Sequence, residues 1–213
     1  MNIQLKSYNQ QNEGWPQAGH HIMAQYDAEK IIVYQSYRPA IGHFAANNQH
    51  FGGPFSLNRM TWIKPNFLWM MFRNGWGQKV GQEVVLAIHL KLEAFEQYLA
   101  NAVHSTFQSD LFPSREAWQE AVANSNVRLQ WDPDHDPYGD KLERRAVQIG
   151  LRNEFIRSYA EDDLLEIEDI SDYVAEQYQF VQQQRLDLLQ LPFERPLTFS
   201  DAALNSKLGI NHE

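Results

Sequence analysis

The sequence predicts an α+β domain: a mixed or antiparallel sheet of about five or more strands, open to being split, packed with short helices. Three observations point there. Runs of β-branched and aromatic residues at 30–37, 83–92, 127–131 and 144–152 read as strands. They intermix with helix-period segments without the even strand–helix spacing of a doubly wound sheet. The chain has 213 residues with six Trp, nine Tyr and twelve Phe, enough for one sizeable core dominated by rings. A single domain over 1–213 is expected, with an irregular leader at 1–27, a core at 28–190 and an irregular tail at 191–213.

The leader mixes Gln, Asn, Gly and Pro without apolar periodicity. KIIVYQSY (30–37) is strand, and Arg38-Pro39 ends it with proline placed to open a short helix. HFGGPFS (50–56) is a glycine-proline loop. In NRMTWIK (58–64), Met60, Trp62 and Lys64 alternate against Thr61 and Ile63 as a strand requires. Pro65 to Asn74 reads as a short helix, stopped by Gly75. EVVLAIHLKL (83–92) is strand. Phe95, Tyr98, Leu99, Ala102 and Val103 then fall at helical spacing over 93–103, and Ser114 caps a helix over 114–124. VRLQW (127–131) and RRAVQIGLR (144–152) are strands separated by the turn-rich DPDHDPYGDKL. A short helix near 153–160, an acidic segment and a Gln-rich helix from Ser171 to Gln190 follow. The tail carries Pro192 and Pro196, with room for one short strand at 197–199.

Composition excludes several chemistries. With no cysteine there are no disulfides, thiolate nucleophiles or Cys-ligated metal sites. No signal-peptide pattern and no uninterrupted apolar span occur, so a soluble, cytoplasmic chain without a membrane partner is expected. Neither a Walker loop nor a dinucleotide glycine fingerprint is present. The histidines are scattered, with no helical-turn pair beside an acid, and no metal is expected. Asp132, Asp134, Asp136, Tyr138, Asp140 and Glu143 fall at calcium-loop spacing, but Pro137 occupies the place where that loop needs glycine. A polar hairpin loop is the expectation there.

Charge is unevenly divided. Residues 1–80 carry seven cations against three acids (+4), and 81–213 carry eleven against twenty-four (−13), the two summing to the net −9. Between Lys30 and Gln82 there is no Asp or Glu, while EDDLLEIEDISDYVAE (161–176) holds eight acids. Whole-chain charge argues against general duplex binding, whereas the acid-free window suits a local anion site. In that window cations interleave with rings: Tyr37 and Arg38; Arg59, Thr61, Trp62 and Lys64; Trp69, Arg73 and Trp76. Rings stack on bases while Arg, Lys and helix N-termini hold phosphates, so a nucleotide fits. Phe67, Leu68, Met70 and Met71 read as core. Gln130 and Gln148, each amid strand formers, either satisfy backbone or face a cleft.

The run RMTWIKPNFLWMMFRNGW, with YRPAIG (37–42), FGGPFS (51–56), VRLQWDPDHD (127–136) and RRAVQIGLR, resembles the domain of unknown function 4291 family over about residues 24–180. A more distant resemblance is to the ADP-ribosyltransferase fold, an α+β domain with a split sheet and an NAD cleft. That resemblance implies a catalytic Arg38 at the end of the first strong strand, Thr61 and Trp62 on the next, and Gln130 or Gln148 on a late one. It implies NAD as cofactor, with Arg38 and Lys64 on the pyrophosphate and Trp69 or Trp76 stacking a ring. Arg59 and Arg73 would shape the pocket, and Gln130 would bond a ribose hydroxyl. The late glutamate and the Ser-Thr-Ser signature are absent, which turns the expectation toward transfer to a nucleic acid or small molecule. A non-enzymatic RNA or single-strand binder using the same window, and a structural domain without ligand, are the alternatives.

Overall fold

The computed structural model describes residues 1–210. Its elements run β1 (Leu5–Ser7), α1 (Tyr8–Asn12), β2 (Gly19–His20), β3 (Ile22–Ala24), β4 (Lys30–Tyr37), α2 (Pro39–Asn48), β5 (Thr61–Ile63) and α3 (Phe67–Asn74). Then come β6 (Val84–Lys91), α4 (Leu92–Ala100), β7 (Ala102–His104), α5 (Arg115–Asn124), β8 (Val127–His135), β9 (Lys141–Leu151) and α6 (Glu154–Ala160). β10 (Leu164–Asp169), α7 (Ser171–Gln182), β11 (Gln190–Pro192), β12 (Arg195–Leu197) and α8 (Ala202–Leu208) complete the order. The fold is α+β in one domain, and no described helix is long and apolar enough to cross a membrane.

Two sheets organise it. An antiparallel sheet has the order β10-β6-β4, and a mixed one runs β2-β9-β8-β7 with β5 also paired to β9. They meet at one isolated bridge, Tyr34 to Lys64, with the Tyr34 amide donating to the Lys64 carbonyl at 2.7 Å. Beyond that bridge β4 and β5 diverge, so the sheet is split there.

β6 lies between β4 and β10 and is buried on both faces, which is why its sequence is a continuous apolar run rather than an alternation. Ile31, Val33, Leu86 and Ile88 feed one core, while Ile32, Tyr34, Val85 and Ala87 feed a second that holds most of α3. Gly42 on α2 lets that helix sit directly on β6: a Cβ there would stand 2.4 Å from Val84 Cγ1. Gly42→Ala is therefore expected to lower stability by about 1–3 kcal/mol, read from urea unfolding, because the helix must lift off the strand.

The ends of the chain depart from expectation. The 1–27 leader and the 191–213 tail are not irregular: β1 pairs with β11, β3 with β12, and β2 adds in parallel to β9. Each strand is two or three residues long, too short to show a period, and each depends on a partner far away in the chain: the opposite end for β1, β3, β11 and β12, and β9 for β2. Residues 211–213, the last of the expected tail, lie outside the described residues. Other boundaries shift for similar reasons. The helix expected over 93–103 stops at Ala100, and Ala102–His104 instead pairs in parallel with β8. The acidic segment contains edge strand β10, where Asp169 is exposed and Glu168 turns in to His89 at 2.8 Å. α7 ends at Gln182, eight residues before the expected Gln190. Calcium-loop spacing resolves into a β8–β9 hairpin. There Asp136 accepts the amides of Tyr138 and Asp140, while Asp134 is buried against Arg144.

Candidate functional site

A cleft of about 440 Å³ opens where β4 and β5 splay. All of its lining falls between Gln35 and Gln82, inside the acid-free window, and no described carboxylate lines it. Arg38, Arg59, Lys64 and Arg73 converge on it together with Tyr37 and Thr61.

The gap between the strands is held open by a side chain. Gln35 is buried. Its Nε2 donates to Thr61 Oγ1 at 2.8 Å and to the Trp62 carbonyl at 3.0 Å, while its Oε1 accepts the buried Tyr159 hydroxyl. An amide thus replaces the backbone ladder that continued pairing would have formed, and it leaves no donor or acceptor of its own unmet. Tyr37 places its hydroxyl 3.1 Å from the same Thr61 oxygen, and burial pushes its pKa up, so it stays a neutral phenol. Its ring is wedged edge-on against Phe51 and Phe55, which fixes the cleft wall.

Lys64 forms the floor. It is only 6 % exposed, and its Nζ donates to the Trp62 carbonyl at 3.2 Å and lies 5.2 Å from the centre of the Trp69 ring. No described carboxylate pairs with it. Burial first, and the neighbouring Arg73 second, push its pKa down to about 7, with Asp132 pulling weakly the other way. Arg38, Arg59 and Arg73 are exposed, so the cleft has a neutral-to-cationic floor beneath a rim of three permanent cations.

Three expected site residues lie elsewhere. Trp69 is buried beneath Lys64, supporting the amine rather than lining the cleft. Trp76 is buried in the second core, its indole donating to the Pro137 carbonyl and its ring stacked on Tyr178. Trp69 lies on α3 and Trp76 just past its Gly75 cap, and both are covered by packing whatever the ligand. Gln130 does not line the cleft: it donates to Asp132 Oδ1 at 2.8 Å, and its cross-strand neighbour Gln148 donates to Oδ2 at 2.7 Å. The pair clamps a carboxylate on the sheet, and neither glutamine is among the residues that line the cleft.

The helix N-terminus after Pro65 is also unavailable to an outside anion. Asn66, not Pro65, caps α3 by accepting the Trp69 amide, and Glu194 Oε1 accepts the Phe67 amide at 2.7 Å. Glu194 comes from the tail, fully buried, and burial raises its pKa well above the carboxylate range. A buried acid from 127 residues away therefore closes what the local sequence presents as open.

Sequence reasoning missed Gln35, Ser36, Phe55, Ser56 and Gln82 as lining. Their membership in the acid-free window was the available signal. One described group has metal-like spacing: His89, Glu166 and Glu168, whose ligand atoms lie within 4.8 Å of one another. Their atoms already serve hydrogen bonds. His89 Nε2 is 2.8 Å from Glu168, and Asn2 donates its backbone amide to Glu168 and its side-chain amide to Glu166. None of the three lines the cleft.

A search of curated proteins returns no match. The family model described as domain of unknown function (DUF4291) matches residues 21–197, which takes in the cleft, the Glu194 cap and both sheets apart from β2. The chain belongs to the DUF4291 family.

Proposed function

We propose that the cleft binds NAD through its phosphates and that the protein is an ADP-ribosyltransferase-like enzyme acting on a nucleic acid or small molecule. One observation carries the reading: Arg38, Arg59, Lys64 and Arg73, apart in sequence, meet in a carboxylate-free cleft at the mouth of a split sheet. Arginine offers forked donors to phosphate oxygens, and the Tyr37 and Phe55 rings offer walls for a base or nicotinamide. The volume suits one nucleotide-sized ligand. NAD would supply the ADP-ribosyl group. With no described carboxylate in the cleft to act as a nucleophile, the acceptor would have to bring its own. Gln130 has no part in this version; Arg38 remains the residue placed to orient the donor.

Calorimetry with NAD and ADP-ribose tests it. Both are expected to bind, and Arg38→Ala to weaken both about tenfold or more, the value of about 1.4 kcal/mol in a charge-assisted contact. Absence of heat with either ligand sinks the reading.

A second reading rests on the exposure of the three rim arginines, which leaves them reachable by a polyanion. A single-strand binder would hold a short oligonucleotide with affinity falling steeply as salt rises, without consuming NAD. A flat salt response would remove it.

A further inference from the structure

Lys64 has a chemistry that phosphate binding does not require. Its backbone is pinned by the bridge to Tyr34, and its side chain is packed over the Trp69 face. Lys64 lines the cleft, and its buried Nζ has one carbonyl partner and no described carboxylate. A lysine meant only to attract anions gains nothing from burial, which weakens its charge; the three rim arginines already do that work. We infer that Lys64 is a carbonyl-reactive amine, and that the cleft accepts aldehydes carrying phosphate groups, with Arg38, Arg59 and Arg73 holding the phosphate and Lys64 Nζ condensing with the aldehyde carbon.

The step balances without any oxidant or reductant. The neutral amine lone pair attacks the carbonyl carbon, a C–N bond forms, and the carbonyl oxygen takes a proton. The resulting carbinolamine loses water as the C–O bond breaks. Both amine protons leave in that water, and the product is an imine. Burial favours the start of this sequence because it leaves about half of the amine neutral near pH 7, where an ordinary lysine has about one amine in three thousand unprotonated. Trp69 beneath and Trp62 beside the amine limit water that would hydrolyse the imine.

The test uses the whole protein and pyridoxal 5′-phosphate as a phosphorylated aldehyde probe. The protein is incubated with it at about pH 7.5, reduced with borohydride, digested and mapped by mass spectrometry. Lys64 is expected to carry the reduced adduct about tenfold or more faster than exposed lysines such as Lys79 and Lys91. Inorganic pyrophosphate is expected to protect Lys64 without protecting the others. Lys64→Arg is expected to lose only that adduct. Labelling spread over exposed lysines, with Lys64 no faster and no protection by pyrophosphate, overturns the inference. The wild-type map decides this even if the variant folds poorly. The outcome is separable from the NAD reading: Lys64 labelling without NAD binding removes NAD alone, and NAD binding with an inert Lys64 removes this inference alone.

Discussion

Replacing Arg144 with methionine is expected to lower the unfolding free energy by about 3–5 kcal/mol, because it strands a buried carboxylate without its charge partner. Asp134 is 0 % exposed and Arg144 2 %. The Arg144 Nε donates to Asp134 Oδ2 at 2.7 Å, and Nη2 lies equally close. Arg144 also donates to the Pro16 carbonyl at 2.8 Å and stacks its guanidinium 5.1 Å from the Trp15 ring. The same side chain thus joins the β8–β9 hairpin to the N-terminal segment. Since domains are stable by only about 5–15 kcal/mol, the loss should be visible as an early urea midpoint. The double variant Asp134→Asn with Arg144→Met is expected to recover part of it, since no charge is then left buried. A loss below about 1 kcal/mol for Arg144→Met would mean that the pair holds nothing that water does not replace.

Affinity for an anionic ligand in the cleft is expected to fall about 100-fold between pH 6 and pH 9, the second large effect. In the free protein Lys64 titrates at about 7. A phosphate beside it favours the ammonium, so the complex keeps its proton where the free protein has lost it. Each pH unit above 7 then costs about tenfold in affinity. Lys64→Met should bind less tightly at pH 6 and show no slope. Affinity that stays level above pH 7 would place the anion away from Lys64. The ligand-free protein carries its own signature. Lys64 holds a proton up to 10.5 when exposed but only up to about 7 when folded. Between those values the unfolded chain binds the extra proton, so through this group stability rises with pH across that window and is level below it. Urea midpoints of wild type and Lys64→Met at rising pH measure the difference.

Several parts of the site can be read in the sequence because they are local. Strand β4, the proline that opens α2, the Gly75 stop of α3 and the Ser114 cap each depend on residues within one turn or one strand. The acid-free window is a composition effect, and it contains every residue that lines the cleft. Trp69 and Trp76 lie off the cleft for reasons that composition cannot show: Trp69 is buried under Lys64, and Trp76, just past the end of α3, packs in the second core. Gln130 fails because its partner, Asp132, is only two residues away yet becomes a partner through strand pairing with Gln148.

From sequence alone, this protein is an α+β domain whose cations and rings gather in one carboxylate-poor stretch, since periodicity, caps and charge runs are properties of neighbouring residues. Tertiary structure alone decides where β4 and β5 part, and that Gln35 fills the gap. It also decides that Glu194, arriving from the far end of the chain, closes the α3 N-terminus and that Lys64 becomes a buried, easily neutralised amine. Each of these depends on desolvation and on partners brought together across more than a hundred residues or between two sheets, and a lysine's chemistry is set by the dielectric around it rather than by its neighbours in sequence.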